Sequence, residues 1–374
     1  MSSTPPADRP PPRLSLAHDY LLVMRGAERT FAAMADLYPH APIHTLLYDE
    51  QGTDGYFAGR AISTSPLQHL GTNQATFRRL LPLYPYAARR LAPPACDVVL
   101  SSSSAFAHGV RVPAGAVHVC YCHSPFRYVW HEEDRALSEA PPRLRPLLRH
   151  QLRRTRRWDL AASRRVDVYV ANSELTRERI RRFYGRESVV IHPPVATHRF
   201  RTGIPGDALL IVSEIVRHKR LHVALEAARR ARVPIRIVGS GPDHAALSEA
   251  YPEAEFLGRA TDEELVELYA TARGVVVPAR EEFGITAVEA QAAGRPVIAA
   301  ATGGALETVV DGQTGCLVTL DDVDSFAQAM RGFDALDFDP ARAQKNAERF
   351  SVASFQRRLG DYVTEVLRNA QEQG

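Results

Sequence analysis

Pro278 to Ala300 reads PAREEFGITAVEAQAAGRPVIAA, and this stretch decides the class of fold. The apolar run GVVVP (Gly274–Pro278) ends a buried strand, the polar REEFG turns, and ITAVEAQAAG makes a short helix stopped by Gly294. Glu281 then stands on the loop at the strand's carboxyl end, and Glu289 projects from the helix one turn in. Ligands of open α/β sheets gather at that edge, where the N–H groups of a helix start favour phosphate. A carboxylate can accept from two neighbouring hydroxyls, in charge-assisted bonds about twice as strong as neutral ones. Two separated carboxylates therefore suit two diols. The spacing alone reads equally well as two acidic residues near a helix start, where the macrodipole favours them.

Outward from this stretch the same alternation recurs. LSLAHDY precedes GAERTFAAMADLY, DVYVANS precedes SELTRERIRRFYG, and ALLIVSEI, LHVALEAARRA and IRIVGSGP follow one another. Strands alternating with helices argue for parallel sheets covered on both faces. Residues 193–206, PPVATHRFRTGIPG, have neither period and are rich in proline and glycine, so they read as a linker. Two doubly wound α/β domains facing across a cleft follow from the pattern. The last segment, SVASFQRRLGDYVTEVLRNAQ, spaces Phe355, Leu359, Tyr362, Val363 and Val366 on one helical face.

The motif E-x-F-G-I-x-x-x-E, continued by A-x-A-x-G-x-P-V-I-A, closely resembles the signature of retaining glycosyltransferase family 4, and the resemblance runs from about Leu14 to Val363. It implies a GT-B fold: an acceptor-binding Rossmann-like domain over 14–195 and a nucleotide-sugar-binding one over 196–350. Residues 351–374 would form a helix crossing back to the first domain, and 1–13 a disordered tail. The resemblance implies Glu281 at the transferred sugar, Glu289 at the ribose, and the loop N–H groups of Gly284 and Ile285 facing the donor.

Four further segments carry weaker signals. In LAHDYLLVMRGAERTF, a loop ending in Gly26 precedes a helix near Ala27, and a glycine there lets backbone approach a phosphate. The family usually has Gly-Gly-Ala-Glu where this chain has Arg25-Gly26-Ala27-Glu28, so Arg25 either clamps the diphosphate or reshapes the acceptor side. Lys219 follows the strand ALLIVSEI, in a chain with only two lysines among 46 basic residues. The resemblance places the diphosphate-binding lysine here, with an arginine five positions earlier where this chain has Glu214. Arg217 and Arg25 are the candidates to work with Lys219. His123 ends VHVCYCH, at the position of the family's histidine near donor sugar and acceptor; a hydrogen-bonded structural histidine is the other reading. The family sets the GSGP turn at Gly239 near the base and the TGGALE turn at Gly304 along the donor pocket. Tight turns also need glycine for geometry alone.

Composition bounds the rest. The 374 residues, 45% hydrophobic and 24% charged, suit a folded protein of two domains. No apolar run spans a bilayer, and the first residues lack the pattern of a signal peptide, so a cytoplasmic protein is expected. Cys96, Cys120, Cys122 and Cys316 read as free thiols, and no spacing argues for a metal. Residues 1–200 carry 27 basic and 17 acidic side chains and residues 201–374 carry 19 and 26, so net charges of +10 and −7 underlie the overall +3.

Residues 146–165 put Leu148, Leu152 and Trp158 on one face of an arginine-rich helix. That helix either lies peripherally on an anionic membrane or packs its stripe into a core. No nucleic-acid motif accompanies the charge.

The expected function is transfer of a hexose from a nucleoside diphosphate sugar, GDP-mannose or a UDP-hexose, to a saccharide or lipid-linked acceptor, with neither cofactor nor metal. The catalytic candidates are Glu281, His123 and Lys219. A non-catalytic nucleotide-sugar-binding scaffold and a GT-B sugar-nucleotide epimerase or hydrolase are the alternatives.

Overall fold

The computed structural model describes residues 12–71, 76–333 and 337–373; most of the expected N-terminal tail lies outside them. The chain divides into two compact units, one of 1–172, 176–191 and 358–374, the other of 173–175 and 192–357.

The first unit is a seven-stranded parallel sheet. Its strands are β1 (Leu14–Leu21), β2 (Ile43–Tyr48), β3 (Ile62–Thr64), β4 (Val98–Ser103), β5 (Val117–Cys122), β6 (Val168–Ala171) and β7 (Ser188–Val190). They lie in the order β3-β2-β1-β4-β5-β6-β7. The second unit holds six parallel strands: β8 (Leu209–Val212), β9 (Ile235–Val238), β10 (Glu255–Gly258), β11 (Gly274–Val277), β12 (Val297–Ala300) and β13 (Gly315–Val318). Their order is β10-β9-β8-β11-β12-β13.

Helices on both faces explain why the central strands read as continuous apolar runs, such as Val275–Val277 and Val297–Ala300, all buried. In each sheet the order reverses once, at β1/β4 and at β8/β11. Those reversals open a crevice at the carboxyl ends of the strands, where doubly wound sheets bind ligands.

The change of unit falls earlier than the sequence suggests. The N–H of Ile191 donates to Ala171 O at 3.0 Å, the last rung of the first sheet, whereas Val195 N–H donates to Phe350 O at 2.8 Å in the second unit. Only His192, Pro193 and Pro194 lie between, and the prolines cannot donate to a ladder. The expected linker 193–206 is accordingly in large part ordered: Thr197–Arg199 forms a 3-10 turn, and Thr197 Oγ1 donates to Glu348 at 3.1 Å. The final helix, Val352–Gln373, belongs to the second unit through Arg357 and to the first from Arg358. Arg358 there donates to Val190 O at 2.8 Å, and Gly360 lies against Leu37.

The basic helix runs from Arg145 to Ser163. Leu152 is fully buried, and Leu148 and Trp158 pack on the same apolar cluster with Phe106 and Phe126. The stripe is thus consumed by the core of the first unit and is not a membrane-lying face. Phe126, Tyr128 and Trp130 also pack there, and Trp130 Nε1 donates to buried Asp159 at 2.7 Å.

Candidate active site

In the second unit, Lys219 and Glu281 meet at the sheet reversal. Lys219 ends a 3-10 turn, Arg217–Lys219, that follows β8, and Glu281 follows β11. These neighbouring strands bring two residues 62 apart in sequence together: Lys219 Nζ donates to Glu281 Oε1 at 2.7 Å and Oε2 at 2.8 Å. About a quarter of each side chain is exposed, so the pair is reachable from solvent.

The Glu281 loop is held from below and behind. Ala279 and Phe283 are buried on either side of it, and Phe283 packs with Val195, Val288, Ala292, Ala347 and Phe350. Behind it runs the turn containing Gly303 and Gly304, whose N–H groups and small size allow close backbone approach. Gly304 N–H donates to Glu281 O at 2.9 Å, and a Cβ on Gly304 would lie 2.0 Å from Phe283 O. Gly304 therefore acts by supporting the loop that carries Glu281. Glu307 in the same turn accepts from His192 Nε2 at 2.8 Å.

Gly284 caps the helix Ile285–Ala292 from a left-handed conformation, and the Ile285 side chain rests on the Phe283 cluster. The first N–H groups of any helix have no partner within its own i to i−4 ladder; here Ala287 N–H donates to Gly284 O at 3.0 Å. Glu289, on this helix, accepts a hydrogen bond from Tyr269 Oη at 2.7 Å. Tyr269 is fully buried, and burial holds its hydroxyl protonated far above neutral pH, so it serves Glu289 as a donor. Tyr269 carried no sequence signal, because a tyrosine on the helix Asp262–Thr271 is indistinguishable from a core residue until the fold sets it beside Glu289.

Gly239, at the end of β9, has φ 145°, and a Cβ there would lie 1.8 Å from Ser213 O. The glycine lets the turns after β8 and β9 run side by side. Glu214 and Arg217 are exposed on the first of those turns, beside half-buried Lys219.

In the first unit, Gly26 opens the helix Gly26–Leu37, and Arg25 N–H donates to Glu28 at 3.2 Å. Burial raises the Glu28 carboxyl to about 7. The Arg25 side chain is exposed. Asp19, near the end of β1, accepts four backbone N–H bonds of 2.5 to 2.9 Å from Ser104, Ala105, Phe106 and Ala107, tying β1 to the loop after β4 at the reversal point.

His123 follows β5, with its ring nitrogen Nε2 at 2.8 Å from Ser102 Oγ and its carbonyl accepting from Thr176 Oγ1 at 3.1 Å. Neither Asp19 nor Ser102 was singled out from sequence, although Ser101 to Ser103 lie inside β4. Each of the three faces a buried histidine, His118, His123 or His108.

Among the described residues, no three histidine, cysteine or carboxylate side chains gather as a metal would require, and no helix is long and apolar enough to cross a membrane.

The two sheets share this doubly wound topology, and in the second a lysine and a carboxylate meet at the reversal point. Residues 24–199 match the family model Glycosyltransferase Family 4, and residues 206–333 match Glycosyl transferases group 1. The chain belongs to this glycosyltransferase family. Similar curated proteins include D-inositol 3-phosphate glycosyltransferase of Streptomyces bingchenggensis, 30% identical over 54% of this chain and 54% of that protein. Glycogen synthase of Mycobacterium tuberculosis is 34% identical over 48% of this chain and 44% of that protein. The chain thus spans about half the length of the curated relatives it matches.

Anabaena HepE in complex with UDP matches with a TM-score of 0.70 at 18% identity, over 94% of this chain and all of that one. Sucrose-phosphate synthase of Thermosynechococcus elongatus matches with a TM-score of 0.70 at 18% identity, over 96% of this chain and 100% of that chain. These likenesses show the GT-B fold.

Proposed function

We propose that this protein transfers a hexose from a nucleoside diphosphate sugar, with retention of anomeric configuration, to a saccharide or lipid-linked acceptor. The observation that carries the reading is the Lys219–Glu281 pair at the β8/β11 reversal, with Glu289 on the next helix. Lys219, with Arg217 beside it, neutralises the diphosphate; Glu281 accepts from hydroxyls of the transferred sugar; Glu289, oriented by Tyr269, takes the ribose diol.

Stabilising the departing diphosphate is the main catalytic effect expected of such a cationic, dipole-lined crevice, and holding donor and acceptor together supplies much of the rest. The departing phosphate oxygen accepts the acceptor's proton on the face where the new bond forms, so the reading requires neither a protein base nor a metal. Arg25, Gly26 and His123 are the contributions of the first unit, to which the acceptor is assigned. HepE, of the same fold, is described with UDP and with UDP-glucose, which favours a UDP-hexose over GDP-mannose as the first donor to try.

The experiment is release of nucleoside diphosphate from a panel of UDP-, GDP- and ADP-sugars, with and without a lipid-linked saccharide extract, together with the anomeric configuration of the product. Acceptor-stimulated release from one donor establishes the reaction. Saturable nucleotide binding without release from any donor would favour a binding scaffold instead, and a rearranged or merely hydrolysed sugar would favour an epimerase or hydrolase.

A peripheral membrane contact belongs to the same reading, in altered form. With the apolar stripe of the Arg145–Ser163 helix buried, the exposed Leu144 and Leu147 and the neighbouring arginines are the groups left to meet an anionic surface. Cosedimentation with anionic but not neutral vesicles, lost when Leu144 and Leu147 become serine, tests it.

A further inference from the structure

The hydroxyl of Ser102 stands between two histidines. His18 Nδ1 lies 3.0 Å from Ser102 Oγ and 3.1 Å from Ser102 O, and His123 Nε2 lies 2.8 Å from the same Oγ. Ser102 is fully buried, and His18 and His123 nearly so. The hydroxyl has one proton and can accept on its lone pairs, so the three groups can be ordered in only a few ways.

The backbone carbonyl of Ser102 breaks the tie. A carbonyl only accepts, so an unprotonated His18 Nδ1 facing it at 3.1 Å would oppose two lone pairs in a buried site. The proton of His18 therefore sits on Nδ1 and is shared between Ser102 O and Ser102 Oγ. Burial, with His123 as the second cause, pushes His18 down to about 3, so at neutral pH it carries that single ring proton. Ser102 Oγ accepts from His18, and its own proton goes to the remaining neighbour, His123 Nε2. His18 is itself held by stacking on Phe31 of the Gly26–Leu37 helix, with centroids 4.7 Å apart.

We infer that His18 and Ser102 are positioning residues that fix His123 as the Nδ1–H tautomer, making it a hydrogen-bond donor, not a base, toward an oxygen of the transferred sugar or its phosphate. This rests on the proposed transferase reading for the role of His123, but the tautomer can be read without any substrate. The less common imidazole tautomer is thereby selected by a chain of donors running His18 to Ser102 to His123. At metal-bound histidines, partners that orient the imidazole and set its tautomer change affinity or activity by about 10-fold to 100-fold when removed, and the same order is expected here.

The test is long-range ¹H–¹⁵N correlation of histidine-labelled protein at neutral pH, with His123 assigned by its loss in His123→Asn. The expected pattern for His123 is a protonated, pyrrole-type Nδ1 and a pyridine-type Nε2. Ser102→Ala should move it toward the Nε2–H form and lower kcat about 10-fold or more with KM for the donor little changed. His18→Asn, whose amide keeps a donor at the Nδ1 position, should retain the wild-type pattern, and His18→Phe should lose it, with circular dichroism confirming that each variant is folded.

An Nε2–H form in the wild type, or a pattern unchanged in Ser102→Ala, overturns the inference. A shifted tautomer with undiminished turnover overturns the positioning role. Wild-type turnover in the same assay separates these failures from the absence of transferase activity.

Discussion

Lys219 Nζ sits between both carboxylate oxygens of Glu281, at 2.7 and 2.8 Å, although the residues are 62 positions apart. The pair joins the ends of β8 and β11, the two strands at which the order of the second sheet reverses. The pair is about three-quarters buried, and the proposed function makes it a pre-set cation and acceptor more than a structural clamp.

That distinction makes the first prediction. Lys219→Ala and Glu281→Ala should each lower kcat about 100-fold or more, while partly exposed pairs of this kind contribute only about 1 kcal/mol to stability. Thermal melting should barely change. Because the two side chains touch, the double variant should lose less than the product of the single losses. Diphosphate-release kinetics and a melting curve on the three variants check this; a large drop in melting temperature with parallel loss of activity would make the pair structural.

Tyr269→Phe removes only the hydroxyl that donates to Glu289. A hydrogen bond to a charged group contributes about 1.5–3 kcal/mol, and the loss should appear in ground-state binding of the nucleotide. The dissociation constant for the free nucleoside diphosphate, measured by calorimetry, should rise about 10-fold with kcat at saturation nearly unchanged.

At Gly304, an added methyl would stand 2.0 Å from Phe283 O, and its nearest neighbours are all backbone atoms of Phe283, with no flexible side chain to yield. Gly304→Ala should therefore displace the Glu281 loop and cost about 2 kcal/mol or more in stability. Both the denaturation midpoint and turnover should fall, whereas Gly312→Ala, with nothing within 4 Å of its Cβ but φ 74°, should affect stability modestly and turnover little.

Acid sensitivity follows from the buried histidines. Burial, then the nearby His108 and Arg165, push His118 down to about 3 from an ordinary value of 6.5. Below 6.5 the unfolded chain takes up the proton that the folded chain refuses, so stability is fully present above that pH and is lost progressively toward 3. Between pH 7 and pH 5 this one group should account for a loss of about 2 kcal/mol. The buried carboxyls Glu28 and Asp159, both raised to about 7, act with the opposite sign, so the wild-type slope is a balance. His118→Gln keeps a donor for Ser101 but cannot titrate, and its urea midpoint should fall less between pH 7 and pH 5 than that of the wild type.

Much of this site was legible before any coordinates. Glu281 and Glu289 sit where a strand, a turn and a short helix with a glycine stop require them. The linker was less legible: proline and glycine in 193–206 suggested a loose connection, but the ladder bonds of Ile191 and Val195 leave only three residues between units. The basic helix left two readings open for a different reason. An apolar stripe has the same 3.6-residue period whether it meets lipid or core, and only the contacts of Leu152 with the first unit distinguish them.

By itself, the sequence determined the alternation of strands and helices, the two doubly wound α/β domains, and the glutamates that follow the strand ending at Val277. These follow from local periodicity and from residues close together in the chain. Tertiary structure alone decided that Lys219 grips Glu281, that Tyr269 orients Glu289, and that the Ser101–Ser103 run is a buried row of histidine partners. Each of those pairings joins residues at least five positions apart through sheet register and burial, and no local pattern encodes which hydroxyl, carboxylate or imidazole will face which.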